Sequence, residues 1–221
     1  MANKTEANFL TPEGQKVKDL ISYYTNTLHL NDTLGCSPHT FYPQLPIIVK
    51  DSLYNLYVQN IVPSIVFNYS LPNNQYFITN TATLRYSLYS GRVDVNDIYA
   101  ISPFYDNYVY YASLPVDALT YLLEQIQSFL VKDLEMTPYF HTYETIDYNR
   151  PAFTHSLTQL QANQVYDVVC ASYDSVTFTP ILQAYLQSEI VPIPYPTRYS
   201  STSSIGEYII RNFPCSSSCP C

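Results

Sequence analysis

The chain has 221 residues, of which 47% are apolar, so it is long and apolar enough to form a packed core. Its formal net charge is −8 and its 10 Lys and Arg residues are scattered singly, which argues against a nucleic-acid polymer as partner. A small anionic ligand can still bind through one or two local donors. No stretch has the length and apolarity of a membrane span, and the N-terminus lacks the pattern of a secretory signal peptide, so we expect neither.

The first half of the chain predicts two helices followed by two short strands. Thr11 and Pro12 are typical of a helix start, and apolar residues then recur at helical spacing. A second helix is expected to stop before Pro63, because proline lacks the N–H that a helix needs. The expected bounds are helix 12–29, loop 31–46, helix 49–61, strand 65–68 and strand 76–79.

The second half continues the mixture of helices and strands. The expected elements are strand 109–114, helix 115–130, an edge strand or hairpin 136–146, strand 165–171, helix 177–187, loop 190–203 and helix 206–212. Because these elements interleave without regular βαβ spacing, the fold class is predicted to be α+β, with a mixed β-sheet packed with helices. We divide the chain into an N-terminal extension (1–10), one domain (11–212) and a Cys/Ser/Pro tail (213–221).

The titratable and metal-binding residue types show no catalytic pattern. The five cysteines include Cys36 and Cys170 in the body of the chain and three in the tail, spaced C-x3-C-x-C. Three thiols without a nearby His or fourth Cys favour an oxidised tail over a tetrahedral zinc site. The four histidines stand singly. We therefore predict no catalytic residue, no metal site and no cofactor in this chain.

The most informative stretch, residues 80–104, reads N-T-A-T-L-R-Y-S-L-Y-S-G-R-V-D-V-N-D-I-Y-A-I-S-P-F. It places an Asn and an Arg five residues apart, turns through Gly91 and ends on Pro-Phe. It resembles the motifs of the C-terminal, substrate-binding domain of 5′-nucleotidases, which read N-x-G-G-[IL]-R, then G, then D-[IV]-Y, then P-F. The resemblance extends over about residues 12–185, is strongest over 76–125, and implies the α+β fold of that domain.

The resemblance implies a nucleotide site made of four side chains. Asn80 and Arg85 match the family residues that contact the bound nucleotide, and a guanidinium is suited to an oxyanion because it offers a planar, always charged donor fork. Phe104 matches a ring that stacks on the base. Tyr173, which follows the Y-x-V strand start at Tyr166, is a candidate for the second stacking ring.

Alternatives to these roles stay open at this point. Arg85 alone is as typical of a salt bridge to a nearby acid, such as Asp94 or Asp97. Ala82 and Thr83 replace the paired glycines of the family motif. The family's G-G-D-G is also replaced, although Asp174 is a candidate for the role of its acid, and Lys50 stands near the place of a further ligand Arg. These departures resemble the divergent fungal branch of the family.

The resemblance also implies what a complete enzyme needs. In the family, a metallophosphoesterase half with two divalent ions precedes this domain, and its motifs D-x-H, G-N-H-[DE] and G-H-x-H do not occur here. We therefore expect a truncated 5′-nucleotidase-like hydrolase of nucleotide catabolism, which binds a nucleoside monophosphate or related small nucleotide and hydrolyses nothing alone. Full-length relatives are expected to be vacuolar or secreted.

Two other hypotheses remain. The first is a non-enzymatic, degenerate binding or structural domain that keeps only the fold. The second is a separate metallophosphoesterase domain or chain that docks here and restores activity, which exposed apolar surface on the first helix would favour.

Overall fold

The computed structural model of the chain describes residues 12–43, 51–68, 71–80, 83–136, 153–156, 159–217 and 219. The helices are α1 (Pro12–Thr27), α2 (Leu53–Leu56) with its π-helical continuation (Tyr57–Val66), α3 (Val95–Ile101), α4 (Val116–Met136), α5 (Ser172–Leu186) and α6 (Ser201–Asn212). The strands are β1 (Thr33–Ser37), β2 (Asn74–Asn80), β3 (Gly91–Asp94), β4 (Tyr108–Pro115), β5 (Phe153–His155), β6 (Val165–Ala171) and β7 (Ile193–Pro194).

Five of these strands form one mixed sheet in the order β5-β2-β6-β4-β7. Strands β2 and β6 are parallel, and the other neighbours in this sheet are antiparallel. Strand β6 lies in the centre, and its residues from Tyr166 to Ala171 are all buried, as expected for a strand covered on both faces. Strands β1 and β3 pair separately as an antiparallel ribbon. The predicted α+β fold with a mixed sheet is confirmed.

The two faces of the sheet carry two separate cores because successive side chains of a strand point to opposite faces. Phe77 and Val169 pack with the π-helical segment and α6 on one face. Tyr76 and Val168 pack with α4 and α5 on the other face. The sheet is thus held between helical layers, and its edges are left to carry loops.

The prediction of a helix that stops before Pro63 is wrong, and so is that of a strand at 65–68. The helix begins at Leu53 and continues through Pro63 to Val66, and the Phe67 N–H donates to the Val62 carbonyl, five residues back, at 3.0 Å. Four apolar side chains of this segment are almost fully buried: Ile61, Val62, Ile65 and Val66. Their burial offsets the one hydrogen bond that proline cannot donate.

The prediction of a loop over 31–46 is also wrong in part, because β1 lies within it. Gly35 in β1 lies against the Phe213 carbonyl, which a Cβ at that position would strike, so only glycine permits this approach. The neighbouring Cys36 N–H donates to the same carbonyl at 2.7 Å. A disulfide joins Cys36 to Cys219, so the ribbon and the end of the chain are covalently connected.

The remaining elements follow the predictions with shifted ends. Strands 76–79, 109–114 and 165–171 and helices 12–29, 115–130, 177–187 and 206–212 are confirmed, although the last two helices begin about five residues earlier than expected. The loop 190–203 contains β7 and the first turn of α6. Elements β3, α3 and β5 were not predicted, residues 137–146 lie outside the described residues, and the domain bounds stay a prediction.

Candidate functional site

The four predicted site residues lie at one edge of the main sheet. Asn80 ends β2, β6 ends at Ala171, and β4 begins at Tyr108, which pairs with Ala171. Because β2 and β6 are parallel and β4 is antiparallel to β6, these three strand ends meet at the same edge. The segments that carry Arg85, Phe104 and Tyr173 leave or enter the sheet at this edge.

Arg85 and Phe104 are in direct contact. The Arg85 guanidinium carbon lies 5.0 Å from the centroid of the Phe104 ring, which is a cation–π arrangement. The backbone N–H of Arg85 donates to the Ile101 carbonyl at 2.7 Å, so the loop that carries the arginine is attached to the end of α3. Phe104 keeps 41% of its surface exposed. A cationic donor and an accessible aromatic ring therefore stand side by side.

The two acids considered as partners for Arg85 act together at the start of α3. Each carboxylate of Asp94 and Asp97 accepts the backbone N–H of the other residue, at 3.1 and 2.9 Å. This capping box satisfies N–H groups at the helix start that have no partner within the helix. Burial raises the pKa of Asp97 above its usual value.

Asn80 and Asp174 form a buried polar pair at this edge of the sheet. Both residues are almost fully buried, and the backbone N–H of Asn80 donates to Asp174 Oδ2 at 3.1 Å. Burial raises the pKa of Asp174 to about 7, the hydrogen bond from Asn80 opposes this rise, and the charge of Asp106 adds to it. Near pH 7 the Asp174 carboxyl is thus present in both protonation states, so it can donate or accept a hydrogen bond.

Tyr173 precedes Asp174 in the first turn of α5 and exposes 68% of its surface. Within the part of the chain that the structure describes, its ring contacts no other aromatic ring. The structure thus brings Arg85 onto Phe104 and Asn80 onto Asp174, and places Tyr173 beside the latter pair. It does not bring the two proposed stacking rings into contact with each other. The role of these residues in ligand binding stays a prediction.

Three residues at this edge were missed from the sequence. Asp106 is half-buried, and burial raises its pKa. Ser201 and Thr202, in the first turn of α6, donate hydroxyl protons to the Phe104 carbonyl at 2.7 and 2.8 Å. The run Ser-Ser-Thr-Ser-Ser at 200–204 is a signal for a helix start, but the contact with Phe104 spans nearly a hundred residues, and no local pattern indicates it.

No three His, Cys, Asp or Glu side chains among the described residues converge in a way that could hold a metal ion. No helix among them combines the length and apolarity needed to cross a membrane.

Comparison with known proteins defines the class to which this chain belongs. The family described as "NAD nucleotidase, C-terminal domain" matches residues 41–168, which is more than half of the chain. The chain belongs to this family. The matched residues include Asn80, Arg85 and Phe104, whereas Tyr173 and α6 lie beyond them.

Curated relatives match over a shorter range. An uncharacterized protein of Schizosaccharomyces pombe is 29% identical over 110 residues, and one of Saccharomyces cerevisiae is 30% identical over 97 residues. These segments cover 49% and 42% of this chain, but only 18% and 16% of the two relatives. The chain thus corresponds to a small part of each relative.

Solved structures show the same fold over nearly the whole chain. The 5′-nucleotidase of Candida albicans matches with a TM-score of 0.69 and 20% identity, over 92% of this chain and 45% of that protein. The 5′-nucleotidase precursor of Thermus thermophilus matches with 0.58 and 16% identity, over 93% of this chain and 42% of its own. The NAD nucleotidase of Haemophilus influenzae matches with 0.53 and 14%, over 89% and 39%. The resemblance to a 5′-nucleotidase C-terminal domain is therefore confirmed, with a chain less than half as long as these proteins.

Proposed function

We propose that this chain is the nucleotide-binding domain of a 5′-nucleotidase-like hydrolase of nucleotide catabolism. Its ligand is a nucleoside monophosphate or a related small nucleotide, held at the sheet edge. The observation that carries the proposal is the contact between Arg85 and Phe104, at the same edge as Asn80, Asp174 and Tyr173. Solved proteins of this fold carry nucleotidase names, which supports a nucleotide as the ligand class.

Each side chain has a role that its chemistry suits. The Arg85 guanidinium takes the phosphate oxygens, because a planar fork of donors matches an oxyanion. Phe104 stacks on one face of the base and Tyr173 on the other, as aromatic rings do in proteins that bind single-stranded nucleic acids. Asn80 supplies polar groups to the ligand, and the buried Asp174 holds the Asn80 backbone by accepting its N–H.

The proposal assigns no hydrolysis to this chain alone. Hydrolysis in the complete enzyme is assigned to a metallophosphoesterase domain that carries a pair of divalent ions. The purified chain is therefore expected to bind a nucleoside monophosphate without releasing phosphate from it, which a phosphate-release assay with added Mg²⁺ or Mn²⁺ checks.

Isothermal titration calorimetry with AMP tests the binding proposal. We expect saturable heat from AMP, weaker binding of adenosine, and a loss of AMP affinity of about 10- to 100-fold in Arg85→Ala, since hydrogen bonds to charged groups contribute about 1.5–3 kcal/mol. Arg92→Ala is the matched control, because Arg92 is exposed on β3 and donates to the Asn31 carbonyl. Absence of heat from every nucleoside monophosphate, together with no effect of Arg85→Ala, would contradict the proposal.

A specific observation favours a second role, the docking of a metallophosphoesterase domain or chain on α1. The apolar side chains of α1 are exposed: Val17, Leu20, Ile21, Tyr23 and Tyr24 each show at least half of their surface. Exposed apolar groups in this number are typical of a contact surface. This chain also covers only 45% of the Candida albicans 5′-nucleotidase.

The docking role is tested by mixing the chain with a metallophosphoesterase domain of a 5′-nucleotidase and measuring co-elution. Leu20→Ser is expected to weaken the complex, whereas Lys18→Ser on the same helix is the control. Equal elution of the two variants would contradict a contact through the apolar face of α1.

A further inference from the structure

The first turn of α6 contains more hydroxyl groups than a helix start requires. Ser200 and Ser203 form the capping box, since each side chain accepts the backbone N–H of the other residue, at 3.2 and 2.8 Å. Ser204 donates to the Ser201 carbonyl within the helix at 2.8 Å. Ser and Thr have lower helix propensity than Ala, so Ser201 and Thr202 need another explanation.

Both side chains point away from their own helix, towards residues 102–107, here called the Phe104 segment. Thr202 Oγ1 lies 2.8 Å from the Ser102 carbonyl oxygen and 2.8 Å from that of Phe104, while Ser201 Oγ lies 2.7 Å from the latter. The Ser201 N–H also donates to the Asp106 carbonyl, at 3.0 Å. Alternate carbonyls of this segment are thus each bonded by α6.

These bonds matter because the Phe104 segment has no regular secondary structure. The carbonyls of Ser102, Phe104 and Asp106 therefore obtain no partners from a helix or sheet ladder, and an unpartnered buried carbonyl is costly. Thr202 is 4% exposed and Ser201 is fully buried, so water does not compete for their hydroxyl protons. Each hydroxyl has one proton. Thr202 shares its proton between the Ser102 and Phe104 carbonyls, whereas Ser201 donates its proton to the Phe104 carbonyl alone.

We propose that Thr202 and Ser201 are positioning residues for nucleotide binding, which hold the backbone of Phe104 so that its ring is in place for the base. This inference rests on the proposed function. It extends the site to helix α6, outside the residues that match the family. A ring held before the ligand arrives loses less conformational freedom on binding, so the net affinity is higher.

Thr202→Val tests the inference, because it replaces the hydroxyl by a methyl group and keeps the branched shape. We expect AMP affinity to fall about fivefold to tenfold, the effect of losing about one hydrogen bond, and Thr202→Ser to restore it. Ser204→Ala is the matched control. It removes a hydroxyl of the same helix that bonds the Ser201 carbonyl and Tyr108, and it leaves both donors to the Phe104 carbonyl in place.

A readout without ligand separates this inference from the proposed function. Amide hydrogen exchange of residues 104–107 is expected to be faster in Thr202→Val than in the wild type and Ser204→Ala. Faster exchange together with weaker AMP binding supports the inference. If Thr202→Val lowers the melting temperature no more than Ser204→Ala and leaves affinity and exchange unchanged, the inference is overturned.

Two further outcomes are decisive. A wild-type chain that binds no nucleotide overturns the proposed function and the ligand role of Thr202, whereas the exchange measurement still shows whether α6 orders the segment. If Thr202→Val does not fold, Ser201→Ala, which removes one of the two donors to the Phe104 carbonyl, carries the same comparison.

Discussion

The two aromatic rings proposed to enclose the base are held in different ways. Phe104 belongs to a segment bonded by α6, and its ring lies against Arg85. Tyr173 lies at the exposed start of α5, and no hydrogen bond or ring contact of its side chain is found in the described residues. In the proposed site, the Phe104 ring would thus be in place before the ligand binds, whereas the Tyr173 ring would be ordered by the ligand.

This difference has an energetic consequence. Immobilising a flexible side chain on binding costs about 0.5–1.5 kcal/mol, so two rings with equal stacking energy contribute unequally to affinity. The ordered ring also depends on remote parts of the chain. Helix α6 ends next to Phe213, whose carbonyl accepts from Cys36, and the disulfide to Cys219 closes this region across 183 residues.

The largest expected effect comes from opening that disulfide. The double variant Cys36→Ser with Cys219→Ser should lower the free energy of unfolding by up to about 5 kcal/mol, because a long closed loop restricts the unfolded chain. Urea denaturation under non-reducing conditions checks this. An unchanged urea midpoint would contradict a stabilising role of the disulfide.

Asp174, beside Tyr173, gives the next largest effect. Its pKa rises from 3.8 to about 7 in the folded chain, which corresponds to about 4 kcal/mol of lost stability once the carboxyl is ionised. In the wild type this loss develops as the pH rises from about 4 to about 7 and is constant above. Asp174→Asn resembles the protonated carboxyl, so it should match the wild type near pH 4 and exceed its stability above pH 7.

Thermal unfolding of the wild type and Asp174→Asn between pH 4 and pH 8.5 checks this expectation. The control is Asp117→Asn, an exposed acid in the first turn of α4. A difference between Asp174→Asn and the wild type that does not change with pH would show that folding does not raise the pKa of this carboxyl.

The sequence motif indicated the site residues between positions 80 and 104 but not the residues of α6 that contact them. Asn80, Arg85 and Phe104 lie within 25 residues, so a local pattern could indicate them, and the structure does bring Arg85 onto Phe104. Ser201 and Thr202 donate to the backbone carbonyl of Phe104 from nearly a hundred residues away. Their contact depends on how α6 packs against the sheet, which no local signal determines.

The fold was predictable where periodicity was strong and misleading where chain breakers stood in a buried segment. Strands of alternating or continuous apolar residues, such as β6, were found because burial on a sheet leaves a pattern. Pro63 was expected to end a helix, but burial of its apolar neighbours outweighs the missing hydrogen bond. Strand β1 was missed because its partner β3 is about sixty residues away and its five residues include Gly35.

Truncating each ring tests the comparison directly. Phe104→Ala should weaken AMP binding by about 10- to 100-fold, since stacking contributes about 1–3 kcal/mol per base. Tyr173→Ala should cost less, about fivefold, because ordering the free ring offsets part of its stacking. Calorimetry measures both affinities, and the melting temperature of Tyr173→Ala should stay near the wild-type value.

Equal affinity losses in the two variants would contradict the difference between the two rings. A loss of stability without any ligand response would favour a degenerate domain that keeps only the fold.

The smallest effect is expected for Arg85→Lys, which separates charge from shape at the ordered ring. Lysine keeps the positive charge for the phosphate but loses the planar fork and the flat contact with Phe104. We expect a loss of AMP affinity of about three- to fivefold, the equivalent of about 1 kcal/mol for an exposed cation–π contact and its hydrogen-bond geometry. Titrations of Arg85→Lys with AMP at low and high salt should show the same salt dependence as the wild type, since the charge is retained.

If Arg85→Lys loses as much affinity as Arg85→Ala, charge alone contributes little and the fork geometry carries the interaction. If it loses nothing, the contact between Arg85 and Phe104 has no part in binding, and the ordered side of the site rests on α6 alone.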